Sequence, residues 1–184
     1  MYPNAEYSIS YPNGREYKIT MRDLLDTPVD AIVNPANSGL SHGGGLAARI
    51  SDEAGPELDD ECGRILKKAG GIIPVTYALP TKAYNLSYKG IIHAVGPIMG
   101  DGDEGKKIEK TIKHSLIAAD YKKWKSVAFP AVSTGLFRVP KEVCAEAFKT
   151  TVPDYWENNP DSGIETVWLC LVKEDYDIFR RIIS

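Results

Sequence analysis

Alternation of bulky and polar positions marks the start of the chain. Tyr7-Ser8-Ile9-Ser10-Tyr11 and Glu16-Tyr17-Lys18-Ile19-Thr20 both follow it, and Pro12-Asn13-Gly14 stands between them. Asn-Gly between two alternating runs signals a hairpin, because the left-handed backbone it tolerates matches the twist of paired strands. Residues 1–20 are therefore expected to form an antiparallel hairpin packed on a sheet edge. Further on, the alternation gives way to short β-rich runs over residues 30–34, 75–79, 90–95, 127–132 and 166–172. Several of these are apolar almost throughout, as strands covered on both faces should be.

Helical patterns fill the intervals. Residues 46–54 and 56–69 follow the first central run, with Pro56 suited to a first helical position. Ile108, Ile112, Leu116 and Ala119 form an apolar stripe along residues 104–124. Another helix is expected over 141–152, with Pro140 at its start and Pro153 ending or kinking it, and a last short one over 175–183. Strands alternating with helices predict a three-layer α/β/α sandwich around a mixed, mostly parallel sheet. No linker, repeat or low-complexity tract divides the 184 residues, so one domain over 1–184 is expected.

Composition narrows the partners. The formal net charge is −3, without the basic footprint of a nucleic-acid binder, so a large phosphate-backbone partner is disfavoured. A small anion held by main-chain N–H groups needs no excess of lysine. Cys62, Cys144 and Cys170 are far apart and form no C-x-x-C pair, which argues for reduced core thiols rather than a disulfide or zinc framework. Met1 to Ser10 lacks a secretory pattern, and the apolar stretch around Ile91 to Met99 is too short to span a bilayer. A cytoplasmic location without membrane attachment is expected.

Two glycine-rich loops carry the chemistry. The first runs from Asn34 through Asn37 and His42 to Gly43-Gly44-Gly45, and the second from Ser133 through Thr134-Gly135-Leu136-Phe137 to Arg138 and Pro140. Each leaves a predicted strand and enters a predicted helix. In open α/β sheets that end of the strands forms the ligand crevice. Glycine lets the main chain approach a ligand, and consecutive N–H groups at a helix start attract anions. Facing one another, two such loops suit the two phosphates of a pyrophosphate; each by itself is also compatible with a plain turn. Gly43-Gly44-Gly45-Leu46-Ala47-Ala48 also matches the G-x-G-x-x-A dinucleotide fingerprint. That fingerprint should follow its strand at once, whereas about nine residues separate Val33 from Gly43 here. An NAD-dependent oxidoreductase is therefore disfavoured. A phosphate-binding G-x-x-x-x-G-K-[ST] motif does not occur.

Together these segments resemble the macro domain family. The resemblance rests on Val29-Asp30-Ala31-Ile32-Val33-Asn34-Pro35-Ala36-Asn37, His42-Gly43-Gly44-Gly45-Leu46-Ala47, Ile92-His93-Ala94-Val95-Gly96-Pro97, and Phe129-Pro130-Ala131-Val132-Ser133-Thr134-Gly135-Leu136-Phe137. These four motifs occur in the family's order and spacing. They imply binding of ADP-ribose, free or attached to a protein, with no cofactor and no metal. By position, Asp23 would accept a hydrogen bond from the adenine amino group, with Leu24 beside it; the competing reading of Asp23 is a turn residue. Asn37 would position the distal ribose, and with His42 it forms the candidate catalytic pair. Gly43, Gly44, Gly45 and Leu46 would hold one side of the pyrophosphate. Ser133, Thr134, Gly135 and Leu136 would hold the other, with Phe137 against the distal ribose and Val172 lining the adenine pocket.

Departures from the family pattern bear on catalysis. Ala47 stands where one hydrolase branch has an aspartate, Arg138 replaces the usual glycine, and Pro35 replaces an alanine, stiffening the chain between Asn34 and Asn37. The resemblance implies hydrolysis of mono-ADP-ribosyl esters on acidic side chains or of O-acetyl-ADP-ribose, or alternatively a non-catalytic ADP-ribose reader. The glutamate pair of poly(ADP-ribose) glycohydrolases is missing after the glycine run. His93, inside an apolar strand, reads as structural, and His114, among helical lysines, as solvated.

Overall fold

The computed structural model describes residues 6–184. The first five positions of the 1–20 segment, and with them half of Met1 to Ser10, lie outside the described residues. A seven-stranded sheet forms the middle layer, in the order β1-β2-β7-β6-β3-β5-β4. β1 (Glu6–Tyr11) and β2 (Arg15–Thr20) make the expected hairpin, with Tyr7 opposite Ile19 and Ile9 opposite Tyr17. Asn13 takes the left-handed conformation at the turn, φ 66°. β2 then pairs in parallel with β7 (Thr166–Cys170), which pairs in parallel with β6 (Ser126–Phe129). β3 (Ala31–Ala36) lies parallel between β6 and β5 (Gly90–Val95).

Residue alternation along the inner strands divides the core in two. Val33, Ile92, Val127, Phe129, Val167 and Leu169 face one cluster, whereas Ile32, Ile91, Ala128 and Trp168 face the other. The first is covered by α3 (Glu104–Tyr121), α4 (Lys141–Asn158) and α5 (Lys173–Ile183). The second is covered by α1 (Gly45–Ala54) and α2 (Pro56–Lys68). Strands buried on both faces explain their near-continuous apolar sequence. The three-layer sandwich with its mixed, mostly parallel sheet is the architecture that the periodicity predicts.

Local boundaries differ in instructive places. The strand expected over 75–79 is shifted: β4 is Ala78–Thr81, antiparallel to β5. Val75 to Tyr77 form a turn instead, since Thr76 has φ 81° and its amide donates to the Val95 carbonyl at 2.7 Å. The 127–132 run leaves the sheet at Pro130, and the 166–172 run leaves it after Cys170, where each chain turns into a loop. Pro153 does not end α4, which continues to Asn158. A proline inside a helix costs about 3 kcal/mol, but the last turn is held by tertiary contacts. Tyr155 and Trp156 are buried, the Tyr155 hydroxyl donates to Asp120 at 2.6 Å, and the Trp156 indole donates to the Ile164 carbonyl at 3.0 Å. Buried Arg15 donates to the carbonyls of Trp156, Pro160 and Ser162, satisfying acceptors in the last turn of the helix and just beyond it. Pro35 lies within β3 rather than in the loop, beyond the residues that β3 pairs with β6, so its missing N–H falls where β6 has diverged. His114 is half-buried rather than solvated, its Nδ1 lying 2.7 Å from the Thr76 carbonyl.

Gly90 is where the sheet is least tolerant. A Cβ there would collide with the Trp124 ring and come within 2.6 Å of the Thr81 carbonyl oxygen. Gly90→Ala is expected to destabilise the protein by about 1–3 kcal/mol through overpacking. Urea unfolding should show this as a lower midpoint with an unchanged slope.

Candidate functional site

β3 and β6 are neighbours, yet the helices that follow them cover opposite faces of the sheet: α1 one face, α4 the other. Their connecting loops must part above the strand ends, and a crevice opens between them. Both glycine-rich loops lie here. They converge again at their tips, where a Cβ built on Gly44 would touch Leu136 Cδ1 at 3.4 Å. Leu136 is 78% exposed.

The main chain of both loops has hydrogen-bond donors to spare. Among the described residues the amides of Gly43, Gly44, Gly45, Leu46 and Ala47 donate to no protein group, as do those of Gly135, Leu136 and Phe137. The former sit at the start of α1, where the helix dipole adds positive potential. Gly45 has φ 58°, a conformation that admits glycine without strain. The second loop is held through carbonyls: Phe137 O accepts from the Met99 amide at 2.8 Å, and Ser133 O accepts from the Val139 amide within the loop at 3.0 Å. Ser133 is buried with its Oγ unpartnered, against Gly96, where a Cβ would collide with that oxygen. The arrangement offers two sets of N–H donors to an anion with two linked negative groups.

The remaining candidates line up along the strand ends. Asp23 and Leu24 follow β2, and Val172, 61% exposed, follows β7. Asp23 caps a short 3-10 turn, its Oδ1 accepting from the Leu25 amide at 2.9 Å, while Oδ2 takes a 2.6 Å bond from Arg49. The turn-residue role is thus present, and each carboxylate oxygen keeps a further lone pair. Leu24 packs into the core, leaving its amide, which donates to no group among the described residues. Asn37 is bound within its own loop: Nδ2 donates to the Ser41 carbonyl at 3.0 Å and Oδ1 accepts from the Ser41 amide at 3.0 Å. Thr134 donates its hydroxyl to the Ala131 carbonyl, which fixes the bend out of β6. Ala47 is buried in the first turn of α1 and brings no acid to the crevice.

The two histidines turn inward. The side chain of His42 is 4% exposed, and its Nδ1 lies 2.8 Å from Asp59 Oδ1. His42 therefore stands behind the loop it precedes rather than in the open crevice. His93 is fully buried, with Nδ1 2.9 Å from Asn34 Nδ2 and Nε2 2.9 Å from the Thr81 hydroxyl. Burial, reinforced by neighbouring His42, pulls its pKa down to about 3 and keeps the ring neutral. Sequence spacing gave no sign of Arg49 beside Asp23, Ser41 against Asn37, or Asp59 behind His42. Arg49 and Asp59 come from helices α1 and α2, Ser41 from the same loop as Asn37, and only Arg49, four residues before Glu53, had a visible helical ion-pair spacing.

With this geometry described, comparison with known proteins defines its class. The sequence model of the macro domain matches residues 33–148. The chain is 34% identical over 166 residues to an O-acetyl-ADP-ribose deacetylase of Escherichia fergusonii, covering 88% of this chain and 92% of that protein. It is 35% identical over 164 residues to an uncharacterized protein of Thermotoga maritima, covering 88% of this chain but only 27% of that longer protein. The structure superposes on the Oceanobacillus iheyensis macrodomain with ADP at a TM-score of 0.88, with 26% identity, over 97% of this chain and 96% of the other. This chain belongs to the macro domain family. No helix among the described residues is long and apolar enough to cross a membrane.

Arg138 occupies a left-handed backbone conformation, φ 58°, at the position where the family pattern has glycine. A side chain in that region costs about 1–2 kcal/mol. Arg138→Gly is expected to stabilise the protein by a net of about 0.5–1 kcal/mol, after the entropy that glycine adds to the unfolded chain. Equilibrium denaturation of the two proteins checks the sign.

Proposed function

We propose that this macro domain binds ADP-ribose across the strand ends and hydrolyses single ADP-ribosyl esters on acidic side chains, or O-acetyl-ADP-ribose. The observation that carries the reading is the pair of facing loops with unpartnered amides. The amides of Gly43 to Leu46 take one phosphate and those of Gly135 to Phe137, in the Ser133 to Phe137 loop, the other. Neither needs a lysine, in keeping with the acidic chain. Adenine lies toward β2 and β7, its amino group donating to a free lone pair of Asp23 beside the Leu24 amide, with Val172 against the ring. The distal ribose reaches Asn37 and Phe137, its hydroxyls competing with Ser41 for the asparagine amide. His42 acts from behind by holding the first loop against Asp59, a positioning role rather than contact with the reacting atoms.

Ala47 supplies no general base, so the reaction draws on positioning and on the dipoles of the loops. Asn37 orients the ribose or the attacking water, and a phosphate oxygen of the substrate accepts the proton. Resemblance to a deacetylase supports the hydrolytic reading. The second reading, a non-catalytic reader of ADP-ribose, is favoured by Ala47 and by the engagement of Asn37 with Ser41.

Calorimetry with ADP-ribose, AMP and NAD tests the binding, with ADP-ribose expected to bind tightest. Gly96→Ala, which pushes Ser133 out of place, should weaken that binding by at least about tenfold, or about 1.4 kcal/mol. Absence of ADP-ribose binding by the folded wild type overturns the whole reading. Incubation with a protein carrying ester-linked ADP-ribose separates the two functions. Asn37→Ala should keep binding within about tenfold while losing ester release by more than that factor. A wild type that binds and leaves the ester intact is a reader.

A further inference from the structure

Behind the first loop, His42, Cys62 of α2 and His93 of β5 each place one donor atom within 4.8 Å of the others. The chain separates them widely, and none of the three is among the groups assigned to the phosphates. The rings of His42 and His93 are 5.6 Å apart, and Cys62 Sγ lies 3.8 Å from His93 Nε2. A tetrahedral zinc with bonds of about 2.0–2.1 Å to nitrogen and 2.3 Å to sulfur sets nitrogen and sulfur about 3.6 Å apart. The observed pair needs little adjustment.

Protein hydrogen bonding prepares the histidines for this role. His42 presents Nδ1 to Asp59, which also accepts from the Ser51 hydroxyl at 2.9 Å. A metal-binding imidazole typically gives its other ring N–H to such a carboxylate. That leaves His42 Nε2 with its lone pair, and this atom is buried without a partner among the described residues. An unpartnered polar atom at that depth calls for an explanation. His93 is flanked in the same way by Asn34, whose Oδ1 is buried and has no partner among the described residues while Nδ2 faces His93 Nδ1. Half a turn of the Asn34 amide brings Oδ1 to accept from Nδ1–H and frees Nε2. The Thr81 hydroxyl, 2.9 Å from Nε2, already donates to the Lys82 carbonyl at 3.1 Å and can keep that bond.

We propose that His42 Nε2, His93 Nε2 and Cys62 Sγ bind a borderline-soft divalent cation of the zinc class, with a water or the Thr81 hydroxyl in the fourth position. Two imidazoles and one thiolate suit zinc better than magnesium or calcium, which take oxygen ligands. On binding, the thiol loses one proton to solvent and the sulfur lone pair goes to the metal. Burial pushes the free Cys62 thiol up to about 12, so the cation supplies the charge that makes a thiolate tolerable there. The ion ties α2 and β5 to the residue before Gly43 and so braces the phosphate loop.

Chelator-treated protein titrated with Co²⁺ tests the site without any nucleotide, so its outcome stands apart from that of the ADP-ribose reading. The expected result is saturation at one equivalent, with tetrahedral ligand-field bands and thiolate-to-cobalt charge transfer, both reversed by zinc. Cys62→Ser should lose the charge-transfer band with the far-ultraviolet circular dichroism unchanged. If that core variant fails to fold, His42→Gln, in the loop, should weaken cobalt binding by at least tenfold. No charge-transfer band at one equivalent in the wild type overturns the proposal. So does a band of equal strength in Cys62→Ser, since Cys144 or Cys170 would then be its source.

Discussion

Several main-chain amides in the loops after β3 and β6 meet no carbonyl among the described residues, and the rest of the site depends on that surplus. It arises because two adjacent parallel strands send their helices to opposite faces of the sheet. The loops must separate there, and the first turn of α1 has no preceding turn to accept its N–H groups. A helix start usually finds a capping side chain, but Gly44 has none to offer. Donors left in this state are stabilised by an anion, and two sets on loops that approach each other at Gly44 and Leu136 suit an anion with two linked phosphates.

Support for these loops comes from polar contacts within them and behind them. Ser41 and Asn37 bind each other across the first loop, and His42 reaches inward to Asp59. The second loop leans on Gly96 and the Met99 amide at the end of β5. β5 therefore serves both sides: its carboxyl end carries the Ser133 loop, and its His93 lies beside His42. Because side chains alternate along a strand, one buried element can support both loops.

Under the proposed hydrolysis, catalysis would come mainly from placement. No acid stands at Ala47, and neither Asn37 nor His42 offers a free group to the open crevice. Electrostatic preorganisation by fixed amides is the resource the fold holds in quantity. The same amides would grip a ligand without any reaction, so enzyme and reader share nearly all of this architecture. On the proposed reading, what divides them is how a few polar groups near the distal ribose rearrange.

Much of this was legible before any coordinates. The Asn-Gly hairpin, the doubly covered strands and the glycine loops are local patterns, each written in neighbouring residues. The four collinear motifs revealed the family because a main-chain cradle restricts residue type at every position. Tertiary structure decided what depends on distant partners. Local propensity would stop a helix at Pro153, but the burial of Tyr155 and Trp156 carries it onward. His42 read as a cleft residue from its place beside the glycines, yet Asp59 on α2 draws it behind them. His42, Cys62 and His93 are strangers in sequence and neighbours in space. Patterns repeat along a chain and can be read there; pairings between separate elements exist only once packing has chosen which faces meet.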